Sequence, residues 1–225
     1  MVDANKAKAE NMRIAKVLRA LENNNMNAVY VQTKEDALKV VKQLVPPSSM
    51  TGTGGSATLA QCGITDYLRK ETNYTDRAQK GLDRDEVRRR DGLIFLSDWY
   101  LTSANAITEH GEIYQVDGRS NRISALAFGP EHVIIVAGIN KIVPHLRAAV
   151  ERVKRQAAPA NCIRLDVDSV CAKTGVCVSP SFDENDLMCH ADCGNGTICC
   201  NTLIMKRQRV KGRVTVIIVG EELGY

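Results

Sequence analysis

The stretch "NAVYVQTKEDALKVVKQLVPPSSMTGTGGSATL", residues Asn27–Leu59, carries a change of period that decides the fold. "NAVYVQ" is β-rich and reads as a strand. "TKEDALKVVKQLV" follows as a helix, with Thr33 as its cap and Asp36 three residues on, until Pro46 and Pro47 stop it. The glycine-rich turn Thr51–Ser56 and a second helix, roughly Ala57 to Lys70, repeat the arrangement. A turn of this composition either cradles an anion or simply turns the chain, and its spacing alone does not separate the two.

Outward from this unit the alternation continues. Residues Ala4 to Leu21 place Met12, Ile14, Val17, Leu18 and Leu21 at helical spacing. Asp83 to Trp99 is charged in its first half and apolar in its second, and a helix is preferred there over a strand at "GLIFLSD". "YLTSANAI", "GEIYQVDG" and "HVIIVAG" are short β-rich runs between polar or glycine turns. Pro144 opens the helix "PHLRAAVERVKRQAA", Pro159 is expected beyond its end, and "RVTVIIVGEELGY" supplies a last strand. Strands alternating with helices predict an open α/β sheet covered on both faces.

The bulk properties narrow the function classes. The chain has 225 residues, 44% of them hydrophobic, and a net charge of +4. The apolar runs fall short of the roughly 18 residues of a membrane span. The charged, amphipathic amino terminus lacks a secretory signal, so an intracellular, cytoplasmic protein is expected. Basic residues mass only at Arg88–Arg90 and Lys206–Arg213, and aromatic residues make up 4% of the chain, which argues against a nucleic-acid partner.

Ligands of open α/β sheets lie beyond the carboxyl ends of the strands. Four polar clusters are expected near that rim. In the glycine-rich turn, Thr51, Gly52, Thr53, Gly54, Gly55 and Ser56 offer backbone amides and hydroxyls to a carboxylate or phosphate at a helix start. In "TSANAITEHGEI", Asn105 and Thr108 supply donors and acceptors, and Glu109 is either a general base or nucleophile or a solvated turn residue. Asn121 and Arg122 in "DGRSNR", and Lys141 in "GINK", add polar and positive groups suited to an anion.

The chain has eight cysteines. Cys62 stands alone and reads as a small core residue, whereas the other seven lie between Cys162 and Cys200. Without an export signal, such density points to a soft metal or redox chemistry rather than disulfides. The expected ligand set is Cys171, Cys177, Cys189, Cys193, Cys199 and Cys200, with His190 nearby. Adjacent Cys199 and Cys200 diverge in an extended backbone, so one of them is expected to pack away from the site.

The segments "TGTGGSATL", "LTSANAITEHGEIYQVDGRSNRISALAFGPEHVIIVAGINKIV" and "AAPANCIRLDVDSVCAKTGVC" resemble, in order, the LUD domain of the lactate utilisation protein family. The resemblance runs from the first helix to about Cys177 and resumes near Cys193; the intervening "VSPSFDENDLMCHAD" departs from the compact cysteine pattern of similar members. It implies a Rossmann-like sheet similar to the NagB/RpiA/CoA-transferase-like folds, with a domain formed by 1–160 and 202–225 and a Cys-rich segment or insertion at 161–201. It also implies binding of a small carboxylate, and oxidation of L-lactate to pyruvate together with iron–sulfur oxidoreductase partner proteins. The redox association favours an iron–sulfur cluster over zinc at the cysteines. Two other readings stay open: an acyl-transferase-like enzyme using Glu109, and a non-catalytic assembly component with structural zinc. A homo-oligomer is compatible with each.

Overall fold

The computed structural model describes residues 3–179, 193, 194 and 196–225. Helix α1 (Ala4–Asn23) begins where the Asp3 carboxylate accepts from the amides of Asn5 and Lys6. It leads to β1 (Asn27–Val31) and α2 (Lys34–Leu44), whose first turn is capped by the Thr33 hydroxyl accepting from Asp36 N. After β2 (Met50–Thr53), the expected single helix is two, α3 (Ala57–Gln61) and α4 (Ile64–Glu71). They are divided at Gly63, whose φ of 68° is left-handed and ends an α-helix.

Next come β3 (Asn73–Thr75) and α5 (Arg84–Phe95), capped by the Asp83 carboxylate on Glu86 N. The helix runs through the charged half of 83–99 and on through "GLIF", as preferred over a strand there, and β4 (Trp99–Thr102) takes up the chain after it. Then follow β5 (Ala106–Thr108), β6 (Ile113–Asp117), α6 (Asn121–Phe128), β7 (His132–Gly138), a 3-10 turn at Ile139–Lys141 and β8 (Ile142–Val143). Helix α7 (Leu146–Arg152) passes through a π turn, Val153–Ala157, directly into α8 (Ala158–Leu165). Pro159 therefore lies inside the helical run rather than beyond it. A proline there removes an amide and crowds the carbonyl four residues back; the wider turn, in which Ala158 N donates to Val153 O, accommodates it. The last elements are α9 (Val170–Thr174), β9 (Asn201–Met205) and β10 (Val214–Val219).

Six strands form a parallel sheet in the order β1-β10-β7-β4-β2-β3. The last strand, β10, is inserted between β1 and β7, so early and late parts of the chain are tied into one sheet. Along β7, Val133, Ile135 and Ala137 face α1 and α6, while Ile134 and Val136 face α2 and α4. Both faces are covered, as a parallel sheet requires, and this is the expected Rossmann-like architecture.

The alternation of elements places all the central β-runs in one sheet, but some of them build a second. β5, β6, β8 and β9 form a four-stranded mixed sheet in the order β8-β5-β6-β9. Its inner side joins the core under α1 through Ile107 and Ile113. Its outer side carries Tyr114 and Val116 against Val150, Val153 and Ala157 of the α7–α8 run, and Cys199 joins that cluster. Position alternation along β6 alone does not reveal this, because all five of its residues are buried.

Among the described residues no helix is long and apolar enough to cross a membrane.

Candidate functional site

The carboxyl ends of β2, β4, β7 and β10 are aligned by the register that pairs Thr53 with Leu101, Thr102 with Ile135 and Gly138 with Val219. Their following loops therefore emerge on one rim. There the second sheet and α8 complete a cleft of about 290 Å³. A narrower arm of about 40 Å³, sharing Gly55, Asn105, Arg122 and Arg164 with it, runs inward to Lys141.

The cleft is cationic. Arg77, Arg119, Arg122 and Arg164 line it, against Asp117 as the one carboxylate among the described residues. Asp117 is occupied: it accepts from the amides of Arg119, Arg122 and Ile123 and so holds the start of α6. Arg122 donates to Val116 O at 2.6 Å, and its Nε lies 3.6 Å from Asp117. Its position requires Gly54, since a Cβ there would come within 2.5 Å of Arg122 Cγ and of the Tyr100 hydroxyl. Arg77 and Arg119 share Asp91, at 2.6 and 3.1 Å. Arg164 is steadied by Asn161 Oδ1. An array of guanidiniums around a cavity of this size suits a small carboxylate or phosphate.

Two buried groups hold the rim together. Gln115 accepts from Asn105 N and donates to Ser103 O, while Asn105 Oδ1 accepts from Val116 N, fastening the "SAN" loop to β6. Arg152 donates to Asn105 O at 2.6 Å and to Asn140 O at 2.9 Å, tying that loop to the "NK" turn. Burial lowers the Arg152 pKa to about 10. Asn140 in turn accepts from Leu223 N and orients the segment after β10.

Lys141 is only 2% exposed. Its Nζ lies 2.8 Å from Ser103 Oγ and 3.0 Å from Thr58 Oγ1. Burial brings its pKa down to about 7, and the charges of Arg152 and Arg122 act in the same direction.

The structure thus brings Gly55, Ser56, Asn105, Asn121, Arg122 and Lys141 to the cleft or its arm. Other expected residues lie elsewhere. Thr51 and Gly52 are inside β2, the first bonded to Thr72 Oγ1 at 2.6 Å and the second pressed against Ile94. Thr53 bonds the Tyr74 hydroxyl and lines a neighbouring cavity of about 410 Å³, which shares Arg119 and Asn121 with the cleft. Gly54 acts by making room for Arg122. Thr108 closes its own turn, accepting from His110 N and Glu112 N. The expected helix start is also weaker than its sequence suggests: α3 spans five residues, and Ser56 spends its hydroxyl on Leu59 N.

Glu109 does not line the cleft. It pairs with Arg13 at 2.8 Å and Lys16 at 2.9 Å on α1, and these contacts hold its carboxyl below the usual range. A carboxylate so held is a weak base and a tether between α1 and the β5–β6 turn. Conversely, Arg77, Arg164 and Arg152 lie outside the four polar clusters, and Ser103 lies within "TSANAI" without standing out from it, yet all four reach the site. They lie in a loop, on two helices and at a strand end, and only the tertiary arrangement joins them.

The cysteines also separate. Cys62 packs in the core under α2 and α4, where burial raises its pKa to about 11. Cys162 on α8 and Cys171 on α9 are buried within mutual hydrogen-bonding reach, and Ser169 Oγ is 3.5 Å from Cys171 Sγ. Burial raises the Cys162 thiol to about 11. Cys199 is raised by burial first and then by the neighbouring Cys162, Cys171, Cys177 and Cys193. Cys162, absent from the expected ligand set, therefore belongs to this neighbourhood. Cys200 points away, exposed, toward Thr197 O. Cys189 and His190 lie outside the described residues. Among the described residues no three His, Cys, Asp or Glu side chains converge on a point suited to a metal ion. The thiol wall nonetheless adjoins the cationic cleft, because Cys199 lines both.

The LUD domain profile matches residues 14–219. The chain belongs to the LUD-domain family. That family is associated with lactate utilisation. A search of curated proteins finds no match. Among solved structures, a DUF162 family protein from Deinococcus radiodurans is similar at 16% identity and a TM-score of 0.50, over 94% of this chain and 98% of that one. At that identity the likeness concerns the fold. The span of the match, residues 14–219, includes the residues of the cleft and of the thiol wall.

Proposed function

We propose that this LUD domain binds a small carboxylate, lactate or pyruvate, in the arginine-lined cleft and acts with iron–sulfur redox partners in the oxidation of lactate to pyruvate. The observation that carries the reading is the convergence of Arg77, Arg119, Arg122 and Arg164 on a cavity of about 290 Å³ at the carboxyl rim of the parallel sheet. A three-carbon acid fills only part of it, leaving room for a second small group. Titration calorimetry with pyruvate and with lactate tests the proposal. Wild-type protein should bind, and Arg122→Gln or Arg164→Gln should weaken binding about tenfold or more, the scale of a lost charged hydrogen bond. Equal affinity in both variants would remove the ligand from this cleft.

The reading extends to a soft metal centre at the thiol wall. Zinc needs sulfurs about 2.3 Å from one point, whereas the thiolates of an iron–sulfur cluster surround a larger body. The family's association with lactate oxidation is what favours the cluster, and its four thiolates would be drawn from Cys162, Cys171, Cys177, Cys193 and Cys199 among the described residues. Such a centre would supply one-electron chemistry beside the cleft, and Cys199 would connect the two. Purification without oxygen, followed by iron, sulfide and zinc analysis, decides between cluster, structural zinc and unmetallated thiols. The acyl-transferase reading has less support, since Glu109 is engaged by α1 away from the cleft.

A further inference from the structure

The arm of the cleft ends on an amine that the anion-binding role does not require. Lys141 lines the arm, its Nζ between Ser103 Oγ and Thr58 Oγ1, and among the described residues its recorded side-chain partners are these two hydroxyls rather than a carboxylate. The hydroxyls form a short relay, in which Ser103 Oγ donates to Thr58 Oγ1 and Thr58 Oγ1 to Leu223 O. Gly224 and Tyr225 line the same arm, and a Cβ on Gly224 would come within 3.3 Å of the amine. Arg122 and Arg164 line both the arm and the cleft. A ligand whose carboxylate meets them and whose next carbon is a carbonyl can direct that carbon into the arm.

We propose that Lys141 is a nucleophile that captures a 2-oxo acid as an imine, with the acid's carboxylate held by Arg122 and Arg164; the inference rests on the anion-binding reading of the cleft. The Nζ lone pair forms a bond to C2, and the carbonyl π pair moves to oxygen. That oxygen takes a proton released by Nζ through the Ser103 hydroxyl. Loss of the oxygen as water then leaves the C=N bond. One amine and one ketone give one imine and one water, with no oxidant or reductant. The hydroxyl relay serves both proton transfers, which explains why two hydroxyls rather than a carboxylate face the amine. A carboxylate would hold it as an ammonium ion and remove the lone pair.

Four influences bear on the amine's charge. Burial lowers its affinity for a proton, Arg152 and Arg122 lower it further, and Cys62 acts weakly the other way. The amine is therefore a free base over a range where exposed lysines are cationic.

The test is reductive trapping. Protein with pyruvate and cyanoborohydride should gain one carboxyethyl group on the peptide carrying Lys141, at a rate rising through about pH 7. Lactate, which has no carbonyl, should give none. Lys141→Arg keeps a cation but should lose the adduct. Lys141→Met, checked by circular dichroism for folding, should lose it too. Calorimetry of pyruvate binding on the same samples separates the two claims. Binding without an adduct on Lys141, or adducts only on exposed lysines, overturns the imine and leaves the anion cleft standing. No binding and no adduct overturns both.

Discussion

Replacing Lys141 by methionine should stabilise the protein near neutral pH, although it removes two hydrogen bonds. The amine's proton affinity falls from the ordinary 10.5 to about 7 on folding. Each unit corresponds to about 1.36 kcal/mol, so below about pH 7, where the amine is protonated in both states, its protonation favours the unfolded chain by about 5 kcal/mol. Against this stand the contacts to Ser103 and Thr58, about 1 kcal/mol each. Both hydroxyls keep each other as partners in the variant. Methionine fills a similar volume, so the cavity term is small. The net gain is about 2–3 kcal/mol at pH 7, roughly 5–10 °C in Tm for a chain of this length. Between about pH 7 and 10 the unfolded lysine binds a proton that the folded one does not, so wild-type stability rises relative to the variant. The advantage of Lys141→Met should shrink by about 1.4 kcal/mol per pH unit across that window and vanish before its top. Urea unfolding of both proteins over this range measures the difference directly. A difference that stays constant with pH would mean that the amine is not desolvated, and would refute the reasoning.

Gly54→Ala should displace Arg122, because the new methyl would overlap its stem and the Tyr100 hydroxyl. Pyruvate affinity should fall about tenfold, with a loss of about 1–3 kcal/mol in stability for the overpacked site, read by calorimetry and urea unfolding. Arg152→Met leaves the carbonyls of Asn105 and Asn140 without this donor. A loss of about 1–3 kcal/mol is expected, together with weaker ligand binding as the "SAN" loop loosens; unaltered binding would show that Arg152 does not position the loop. Glu109→Gln should leave pyruvate affinity unchanged and cost at most about 1 kcal/mol, since Arg13 and Lys16 are largely exposed. That small stability loss should disappear on acidification, because the lowered carboxyl pKa contributes only above it.

The local part of this fold is legible because its signals are local. Thr33 and Asp83 cap the helices that follow them, and the buried strand β7 carries a continuous apolar run. These depend on neighbours a few residues away. The π turn is hidden because Pro159 ordinarily ends a helix, and here the helix widens instead. The second sheet is hidden because β9 pairs with β6 across a long interval of chain, and nothing in either run names its partner.

The candidate site divides in the same way. Asn105, Arg122 and Lys141 stand out in sequence as members of polar clusters that follow strands, and the cleft or its arm is lined by all three. Glu109, at the other end of β5 from Asn105, is drawn to α1, because the cations of a remote helix face it. The clustering of cysteines near residue 171 is visible in composition, whereas the membership of Cys162 and the turning away of Cys200 depend on how α8, α9 and the run into β9 pack. The linear pattern of residues sets the order of strands and helices, and with it the rim where a ligand would lie. Which charges meet at that rim, and which of them lose their water, is settled by packing in three dimensions. Field and desolvation depend on distance through space and on burial, and neither is a property of a residue's neighbours along the chain.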